Sequence, residues 1–293
     1  MPSTVESATS PALGEHREIE LPQGTLRYRE AGEGEPIVFV HGFGVDSRLW
    51  DGVAARLSAD ARCILPDLPF ASHRVPMNED ADLSPLGAAK LVADLVRALG
   101  LERVTLVGND SGGAVSQLVA AHHPEVVERL VLTNCDSYDK FPPFPYNGLP
   151  LVAKVPGLMP AFGLSLRLRP LRWAAYRVLT NDPLPDELLR SWLAPQRDAG
   201  IRRDASKFMG GASGKLTMEA AERLREFRRP TLIAWGDADR FFKPSYAERL
   251  AADIPNARLK WIEGGKTFCP IEDPDAVAAA IGSFIREPAP APA

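Results

Sequence analysis

The stretch VTLVGNDSGGAVSQLVAA, residues 104–121, decides the fold. Its first four residues are apolar or β-branched, which is typical of a buried parallel strand. The turn GNDSGG, residues 108–113, follows, and apolar residues then recur at helical spacing over residues 114–121. A strand that passes through a sharp turn directly into a helix predicts an α/β fold with a functional residue in that turn.

The turn has the small residues that a nucleophile elbow requires. They are needed two positions before and two after the nucleophile, because the strained backbone brings those positions together. Centring the elbow on Asp110 places Gly108 and Gly112 there, whereas centring it on Ser111 places Asn109 where a side chain would clash. We therefore predict Asp110 as the nucleophile. A nucleophile at Ser111 and an ordinary glycine-rich loop are the alternatives.

The overall composition indicates a globular protein that acts on a small molecule. The 293 residues are 45% hydrophobic, which is enough for a large core in one α/β domain with an insertion. The net charge of -4 gives no bulk attraction to nucleic acid or to an anionic membrane surface. The three cysteines form no CxxC pair and leave an odd one, which argues against disulfides or a zinc site. We expect no metal or cofactor, a cytoplasmic location, and a monomer or homodimer.

The two ends of the chain differ in composition from the rest. Residues 1–15 are rich in Ser, Pro, Ala and Glu, and residues 287–293 form a Pro-Ala tail, so both are predicted to be disordered. The first fifteen residues lack a basic start and an apolar segment, and no apolar run is long enough to span a bilayer. Secretion and membrane insertion are therefore not expected.

Strand and helix patterns alternate along most of the chain. Eight segments have strand character: residues 17–21, 25–30, 36–40, 61–65, 104–107, 130–133, 231–235 and 258–262. Helices are predicted between most of them, at residues 47–58, 84–100, 114–121, 217–227, 245–252 and from 274 onward. The first two strands form an antiparallel hairpin, and the alternation elsewhere implies right-handed crossovers and a mostly parallel sheet flanked by helices.

The alternation breaks between Asp136 and Lys215. This stretch is Pro-rich over residues 141–150 and helical over residues 165–203, which indicates a helical insertion after the sixth strand. We therefore predict a core formed by residues 16–136 and 216–286, and a helical cap formed by residues 137–215.

These features together resemble the α/β-hydrolase fold over nearly all of residues 17–286. The resemblance rests on HGFG at residues 41–44, the elbow, the insertion after the sixth strand, and WGDAD at residues 235–239. An aspartate at the elbow is similar to the epoxide hydrolase and haloalkane dehalogenase branch of that superfamily. In that branch the carboxylate attacks carbon to give an alkyl ester, and water activated by a histidine and an acid hydrolyses the ester.

The resemblance implies a role for several residues. The carboxylate of Asp110 would attack directly, because it needs no base to ionise it at neutral pH. The backbone N–H groups of Ser111 and Phe43 match the family's oxyanion donors. His41 matches a residue that holds its loop by hydrogen bonds.

The acid of the triad has two candidate positions. Asp239, three residues after a glycine, matches the family's usual position. Asn134, Cys135 and Asp136 mark a second place from which some relatives supply the acid.

The histidine of this branch is missing. Counting back from Pro274 in GGKTFCPIEDP places Thr267 at its position, between Lys266 and Phe268. Threonine cannot act as a general base near neutral pH, and the loss of such a base typically costs ~10²- to 10⁴-fold in rate. The second half-reaction should therefore be slow, whether Thr267 is natural or engineered. His73 is the one other histidine in a loop that the fold brings near the site.

Two further departures concern the substrate. Dehalogenases of this branch hold the halide with a Trp and often an Asn at the places of Ser111 and Phe43, so halide binding is not expected. Epoxide hydrolases protonate the epoxide oxygen from cap tyrosines. The corresponding candidates for substrate contact here are Tyr138, Tyr146, Tyr176 and, at the end of the seventh strand, Trp235.

Three functional hypotheses follow. The first is an epoxide-hydrolase-like enzyme with Asp110 at the reacting carbon and an altered or absent histidine step. The second is a non-hydrolytic catalyst on the same scaffold, such as an epoxide-opening cyclase or a lyase, with Asp110 as general base or electrostatic stabiliser. The third is a non-catalytic binding protein that keeps the pocket.

Overall fold

The computed structural model describes residues 13–287 of the chain. Its strands form one eight-stranded sheet. They are β1 (Arg17–Leu21), β2 (Gly24–Ala31), β3 (Glu35–Val40), β4 (Ala61–Pro66), β5 (Val104–Asp110), β6 (Val127–Cys135), β7 (Thr231–Gly236) and β8 (Ala257–Ile262). The order across the sheet is β1-β2-β4-β3-β5-β6-β7-β8. The α/β-hydrolase fold expected from the sequence is confirmed.

Twelve helices are described over the same residues. They are α1 (Asp51–Leu57), α2 (Pro85–Ala98), α3 (Ser111–His122), α4 (Leu149–Lys154), α5 (Leu158–Ser165), α6 (Arg169–Arg177), α7 (Asp186–Leu193), α8 (Ala199–Gly211), α9 (Gly214–Leu224), α10 (Pro244–Asp253), α11 (Cys269–Glu272) and α12 (Pro274–Arg286). None of these helices has both the length and the apolar character needed to cross a bilayer.

The sheet is parallel apart from one edge. β1 pairs with β2 and β2 with β4 in antiparallel fashion, and every later pairing is parallel. All seven residues of β5 are buried, as expected of a parallel strand covered by helices on both faces. Because parallel strands end at the same edge, β5 and β7 deliver their terminal residues to one side of the molecule.

Each face of the sheet has its own hydrophobic core. Apolar residues of α2, α3, α9 and α10 pack on one face, and those of α1 and α12 pack on the other. Burial of this apolar surface, at about 25 cal/mol per Å², is the main favourable term that holds the layers together. The sheet is therefore a rigid base for residues at its carboxyl edge.

Helices α4 to α8 all lie between β6 and α9, as the predicted insertion requires. Helix α4 packs mainly on α8, and α8 also touches α2 of the core. Arg172 on α6 fixes part of the insertion, since it donates to the Asp186 carboxylate at 2.9 Å and to the carbonyl of Leu166 at 3.0 Å. The insertion thus forms a helical layer above the carboxyl edge of the sheet.

Several local boundaries differ from the predictions. The helix predicted to begin at residue 217 begins at Gly214, because the Ser213 hydroxyl caps it by accepting from the Lys215 N–H. The predicted N-terminal tail lies outside the described residues up to position 12, but Leu13 is fully buried in the core beneath α1. The prediction of disorder is wrong for Leu13. Of the predicted C-terminal tail, only Glu287 is described.

Candidate active site

Asp110 lies at the junction of β5 and α3 in a strained backbone conformation. Its φ is 54° and its ψ is -132°, a region that a residue with a Cβ seldom adopts. The flanking glycines are required by close packing. A Cβ at Gly108 would lie 2.4 Å from Ser116 Oγ, and one at Gly112 would lie 2.3 Å from the carbonyl oxygen of Val40. The chain therefore turns as an elbow centred on Asp110, and not on Ser111.

The Asp110 carboxylate is almost completely removed from solvent. Burial raises its pKa, hydrogen bonds from the backbone N–H groups of Ser111 and Phe43 lower it in part, and the charge of Asp239 raises it; the pKa is about 7. A Cβ at Gly42 would lie 2.1 Å from Asp110 Oδ2, so only glycine leaves room for this carboxylate. The two N–H groups predicted as oxyanion donors thus face the Asp110 side chain.

Asp239 follows β7 and has a partner for both carboxylate oxygens. Its Oδ1 accepts from the backbone N–H groups of Phe241 and Phe242 at 2.7 and 3.0 Å. Its Oδ2 accepts from Thr267 Oγ1 and Asn134 Nδ2, each at 2.8 Å. Burial raises the pKa of Asp239 to about 6, against the lowering effect of these donors. The carboxylate at the family's acid position is therefore saturated by protein donors.

Thr267 takes the predicted histidine position beside Asp239, and it is fully buried. Its hydroxyl donates to Asp239, and its backbone carbonyl accepts from Asn109 Nδ2 at 2.7 Å. Asn134 joins the same network, since its amide also bonds both the N–H and the carbonyl of Gly236. The sequence analysis did not identify Asn109 as a connecting residue. Two asparagines at the ends of buried strands are the signal that could have indicated one.

A cavity opens between the carboxyl edge of the sheet and the inserted helices. It encloses about 840 Å³ of space free of protein atoms, part of it open to solvent. Asp110 and Arg202 are its charged lining residues within the described chain. Its other lining residues are mostly apolar and include Phe43, Leu149, Met159, Phe162, Leu166, Leu179, Leu193, Met209 and Phe241. A lining of this kind suits a small, largely apolar ligand.

Two of the three cap tyrosines line this cavity. The Tyr146 hydroxyl donates to the carbonyl of Ala175 at 2.5 Å, and the Tyr176 hydroxyl donates to that of Gly44 at 2.6 Å. Burial raises the pKa of Tyr146 to about 12 and that of Tyr176 further. Tyr138 does not line the cavity, since its hydroxyl donates to the Asp253 carboxylate at 2.9 Å. The expectation that Tyr138 contacts substrate is therefore wrong.

Two other residues predicted at the site lie away from the cavity. Trp235 is fully buried in the core, where its indole N–H donates to the carbonyl of Phe242 at 3.0 Å. The prediction of substrate contact by Trp235 is wrong, because alternation along β7 points this side chain into a helix layer.

His41 has a structural role in the loop after β3. Its Nε2 accepts from the Leu68 N–H at 2.9 Å, and its Nδ1 lies 2.9 Å from the Gly42 carbonyl oxygen. It holds the loop that carries Phe43.

No histidine is placed to activate water at Asp110. All five histidines of the chain fall in the described residues, and none lines the cavity. His73 is buried and paired through Nε2 with the Asp204 carboxylate of α8 at 3.1 Å. The Lys266 ammonium donates to the Thr180 carbonyl at 3.1 Å, and burial raises the pKa of the Cys269 thiol well above its usual value. These side chains therefore supply no substitute base.

A second buried carboxyl group lies beside Asp110. Asp136 has no exposed surface, and its N–H donates to the Asp110 carbonyl at 3.3 Å. Within residues 13–287 neither carboxyl oxygen of Asp136 has a hydrogen-bond partner of good geometry. Burial raises the pKa of Asp136 well above the usual value, the Asp110 charge also raises it, and the Ser111 hydroxyl lowers it. Burial and the neighbouring Asp110 charge therefore both favour the protonated form of Asp136.

The fold and this site define a protein of the α/β-hydrolase class. It has an aspartate at the elbow, and the carboxylate at its acid position, Asp239, accepts hydrogen bonds only from protein donors among the described residues. Comparison with known families agrees: the alpha/beta hydrolase fold family matches residues 35–274, and the chain belongs to it. A 2-hydroxy-6-oxo-6-phenylhexa-2,4-dienoate hydrolase from Comamonas testosteroni is 31% identical over 253 residues, which cover 83% of this chain and 84% of the relative. Haloalkane dehalogenase 2 of Mycobacterium bovis is 27% identical over 288 residues, covering 91% and 93%.

Solved structures show the same architecture. An ancestral haloalkane dehalogenase aligns with a TM-score of 0.76 at 22% identity, and the epoxide hydrolase CorEH aligns with 0.75 at 20%. Each alignment covers 92% of this chain and 98% of the other. Identities this low establish the fold alone. The hydrolases among the sequence relatives support an enzyme of the hydrolase kind.

Proposed function

We propose that this protein is an enzyme in which the Asp110 carboxylate attacks an electrophilic carbon of a small organic substrate, in the manner of an epoxide hydrolase. One observation carries the proposal: Asp110 is the one carboxylate lining an apolar cavity in the described chain, with two backbone N–H groups beside it. These N–H groups would stabilise the charge that develops on the carboxyl oxygen in the later steps.

The first step is a substitution at carbon. An Asp110 oxygen would form a bond to an epoxide carbon while the carbon–oxygen bond of the ring breaks, which leaves an alkoxide that takes up a proton. Tyr146 and Tyr176 are the cavity hydroxyls that could supply it, provided each turns from the carbonyl to which it now donates. An alkyl halide is a poorer candidate, since Ser111 and Phe43 stand where the halide-binding side chains of dehalogenases are found.

The second step, hydrolysis of the ester, is where this site departs from that scheme. Thr267 bonds Asp239 and provides no base. A covalent ester at Asp110 should therefore accumulate, with release slower by ~10²- to 10⁴-fold than with a histidine present.

A second function is favoured by the protonation of Asp110. With a pKa of about 7, the group is present as acid and as base in similar amounts near neutral pH. This supports a non-hydrolytic reaction, such as an epoxide-opening cyclisation or an elimination, in which Asp110 moves a proton and forms no ester.

Incubation with a panel of epoxides and alkyl halides, followed by intact mass and product analysis, tests both functions. The first function predicts an added mass equal to the substrate in the wild type and none in Asp110→Asn. Product without added mass supports the second function. Neither adduct nor product across the panel, with a folded protein that still binds the compounds, overturns both and leaves a binding protein.

A further inference from the structure

Arg202 is half-buried and is the cation among the described residues that line the mostly apolar cavity. It lies on α8 of the insertion and lines the cavity and two neighbouring surface pockets. The described residues place no carboxylate within 4.0 Å of its guanidinium, whereas Arg172 and Arg203 of the same insertion are paired with Asp186 and Asp204. A cation left without a partner beside a ligand cavity is available for an anionic group of the ligand.

The guanidinium is held in a fixed orientation. Its Nη1 donates to the carbonyl oxygens of Gln196 and Arg197 at 2.8 and 2.7 Å. Its Nε and Nη2 have no hydrogen-bond partner among residues 13–287. In an arginine side chain these two N–H groups lie side by side, and together they can donate two parallel hydrogen bonds to one carboxylate. Because the other edge is anchored, little side-chain entropy remains to be lost when an anion binds.

Gln196 provides a second polar group at the same place. Its side chain lines the cavity with Arg202. It fits there because residue 163 is glycine: a Cβ at Gly163 would lie 2.1 Å from Gln196 Oε1. The described chain supplies no hydrogen-bond partner to the Gln196 amide group. Arg202 and Gln196 therefore both line the cavity, and Gly163, against which Gln196 Oε1 lies, lines one of the neighbouring surface pockets.

We propose that Arg202 and Gln196 bind a carboxylate of the substrate, which is then an organic acid with an apolar body. This assignment of the substrate class rests on the proposed function, which places the reacting end of the substrate at Asp110. The negative charge at Asp110 would repel a carboxylate bound near it and the positive charge at Arg202 would attract it, so the two charges fix which end enters which part of the cavity.

Equilibrium binding of unreactive ligands tests this site without requiring any reaction. The parent protein is Asp110→Asn, and the probes are straight-chain carboxylates of six to twelve carbons with the matching primary amides, measured by calorimetry. We expect the best carboxylate to bind at least about tenfold more tightly than its amide. Arg202→Gln should remove this preference while amide binding changes less than about twofold.

Two further variants complete the test. Arg202→Lys keeps the charge but not the paired N–H edge, so it should retain only part of the preference. Arg197→Gln replaces an exposed arginine on the same segment that does not line the cavity, and it should bind as the parent does. If Arg202→Gln fails to fold, Gln196→Leu should still weaken carboxylate binding selectively.

Other results would overturn the proposal. Equal binding of carboxylates and amides by the parent, no binding of any probe, or an unchanged preference in folded Arg202→Gln would each do so. Because Asp110 is absent from the parent, these outcomes do not depend on its chemistry. Conversely, a carboxylate preference together with a failure of every epoxide to react would overturn the proposed function alone.

Discussion

Asp110 and Asp239 are two buried carboxyl groups at the same edge of the sheet, and they differ in what surrounds them. Asp239 accepts four hydrogen bonds, from two backbone N–H groups, Thr267 and Asn134. Asp110 faces a cavity and meets two backbone N–H groups. Asp110 therefore retains hydrogen-bonding capacity that a ligand could use, whereas protein donors occupy that of Asp239.

The same difference is visible in protonation. Burial raises the pKa of both groups, to about 7 for Asp110 and about 6 for Asp239. The additional donors around Asp239 stabilise its charged form, so it stays the more acidic of the two. We call Asp110, which faces the cavity, the open centre, and Asp239, whose carboxylate oxygens are occupied by protein donors, the closed centre.

The largest effect is expected from Asp110→Asn. An amide is a poor nucleophile at carbon, so the rate of adduct or product formation should fall by at least about 10³-fold. The comparison variant is Ser111→Ala, which keeps the backbone N–H and should react within a few-fold of the wild type. Similar rates in Asp110→Asn and wild type would show that the reactive centre is elsewhere.

The next largest effect is expected from reopening the closed centre with Thr267→His. A histidine beside Asp239 would be a base for water, so an ester at Asp110 should be released ~10²- to 10⁴-fold faster. The measurement is the decay of the added mass, with Thr267→Asn as a polar control that has no base. A folded Thr267→His protein that retains its adduct as long as the wild type would contradict the assigned role of this position.

The open centre should also reduce stability as pH rises. The pKa of Asp110 is about 7 in the folded chain and near 4 when unfolded, so its contribution to stability is fully present below pH 4 and is lost towards pH 7. Asp110→Asn does not ionise, so its free energy of unfolding relative to the wild type should increase by roughly 2–4 kcal/mol between pH 4 and pH 8. Urea unfolding at pH 4 and 8 measures this, and a difference that does not grow with pH would refute it.

A smaller effect is expected when one donor is removed from the closed centre. Thr267→Val leaves the Asp239 carboxylate without one hydrogen bond and should cost about 1–2 kcal/mol of unfolding free energy at pH 8. It also raises the pKa of Asp239 above about 6, so the loss should be less at pH 4.5, where the group is neutral in both proteins.

Thr217→Val is the matched control for this pH dependence. The Thr217 hydroxyl is also buried, but it donates to the backbone carbonyl of Tyr138. A backbone carbonyl does not titrate. Its loss of stability should be the same at both pH values. A similarly flat loss for Thr267→Val would mean that Asp239 carries no charge at pH 8.

The smallest effect is expected from Asp136→Asn. Because burial favours the protonated form of Asp136, replacing it with a neutral amide should move the pH midpoint of Asp110 reactivity by less than about half a unit. The measurement is the pH dependence of adduct formation between pH 5 and 9. A fall of more than one unit in the midpoint would show that Asp136 carries charge beside Asp110.

The fold and the position of Asp110 could be predicted from the sequence, because local rules fix them. The central strands follow apolar runs, and the elbow follows from glycines two positions either side of Asp110. The absence of a histidine at Thr267 could likewise be read by counting along one short motif. Each of these inferences needs only neighbours in the chain.

What the sequence did not predict depends on contacts between distant segments. That Thr267 completes the hydrogen bonds of Asp239 involves residues 28 positions apart. The direction of the Tyr176 hydroxyl and the place of Arg202 at the cavity depend on how the insertion packs on the sheet. The pairing of an individual arginine has no local signature in the sequence.

Mapping the site of covalent labelling tests the central contrast most directly. The protein would be incubated at pH 8 with the carboxylate-directed epoxide 1,2-epoxy-3-(4-nitrophenoxy)propane, digested, and sequenced by mass spectrometry. We predict one ester in the cavity region, on Asp110, and no label on Asp239 or Asp136. Label on Asp239, or an Asp110 that stays unlabelled while exposed carboxylates react, would contradict the account of one open and one closed centre.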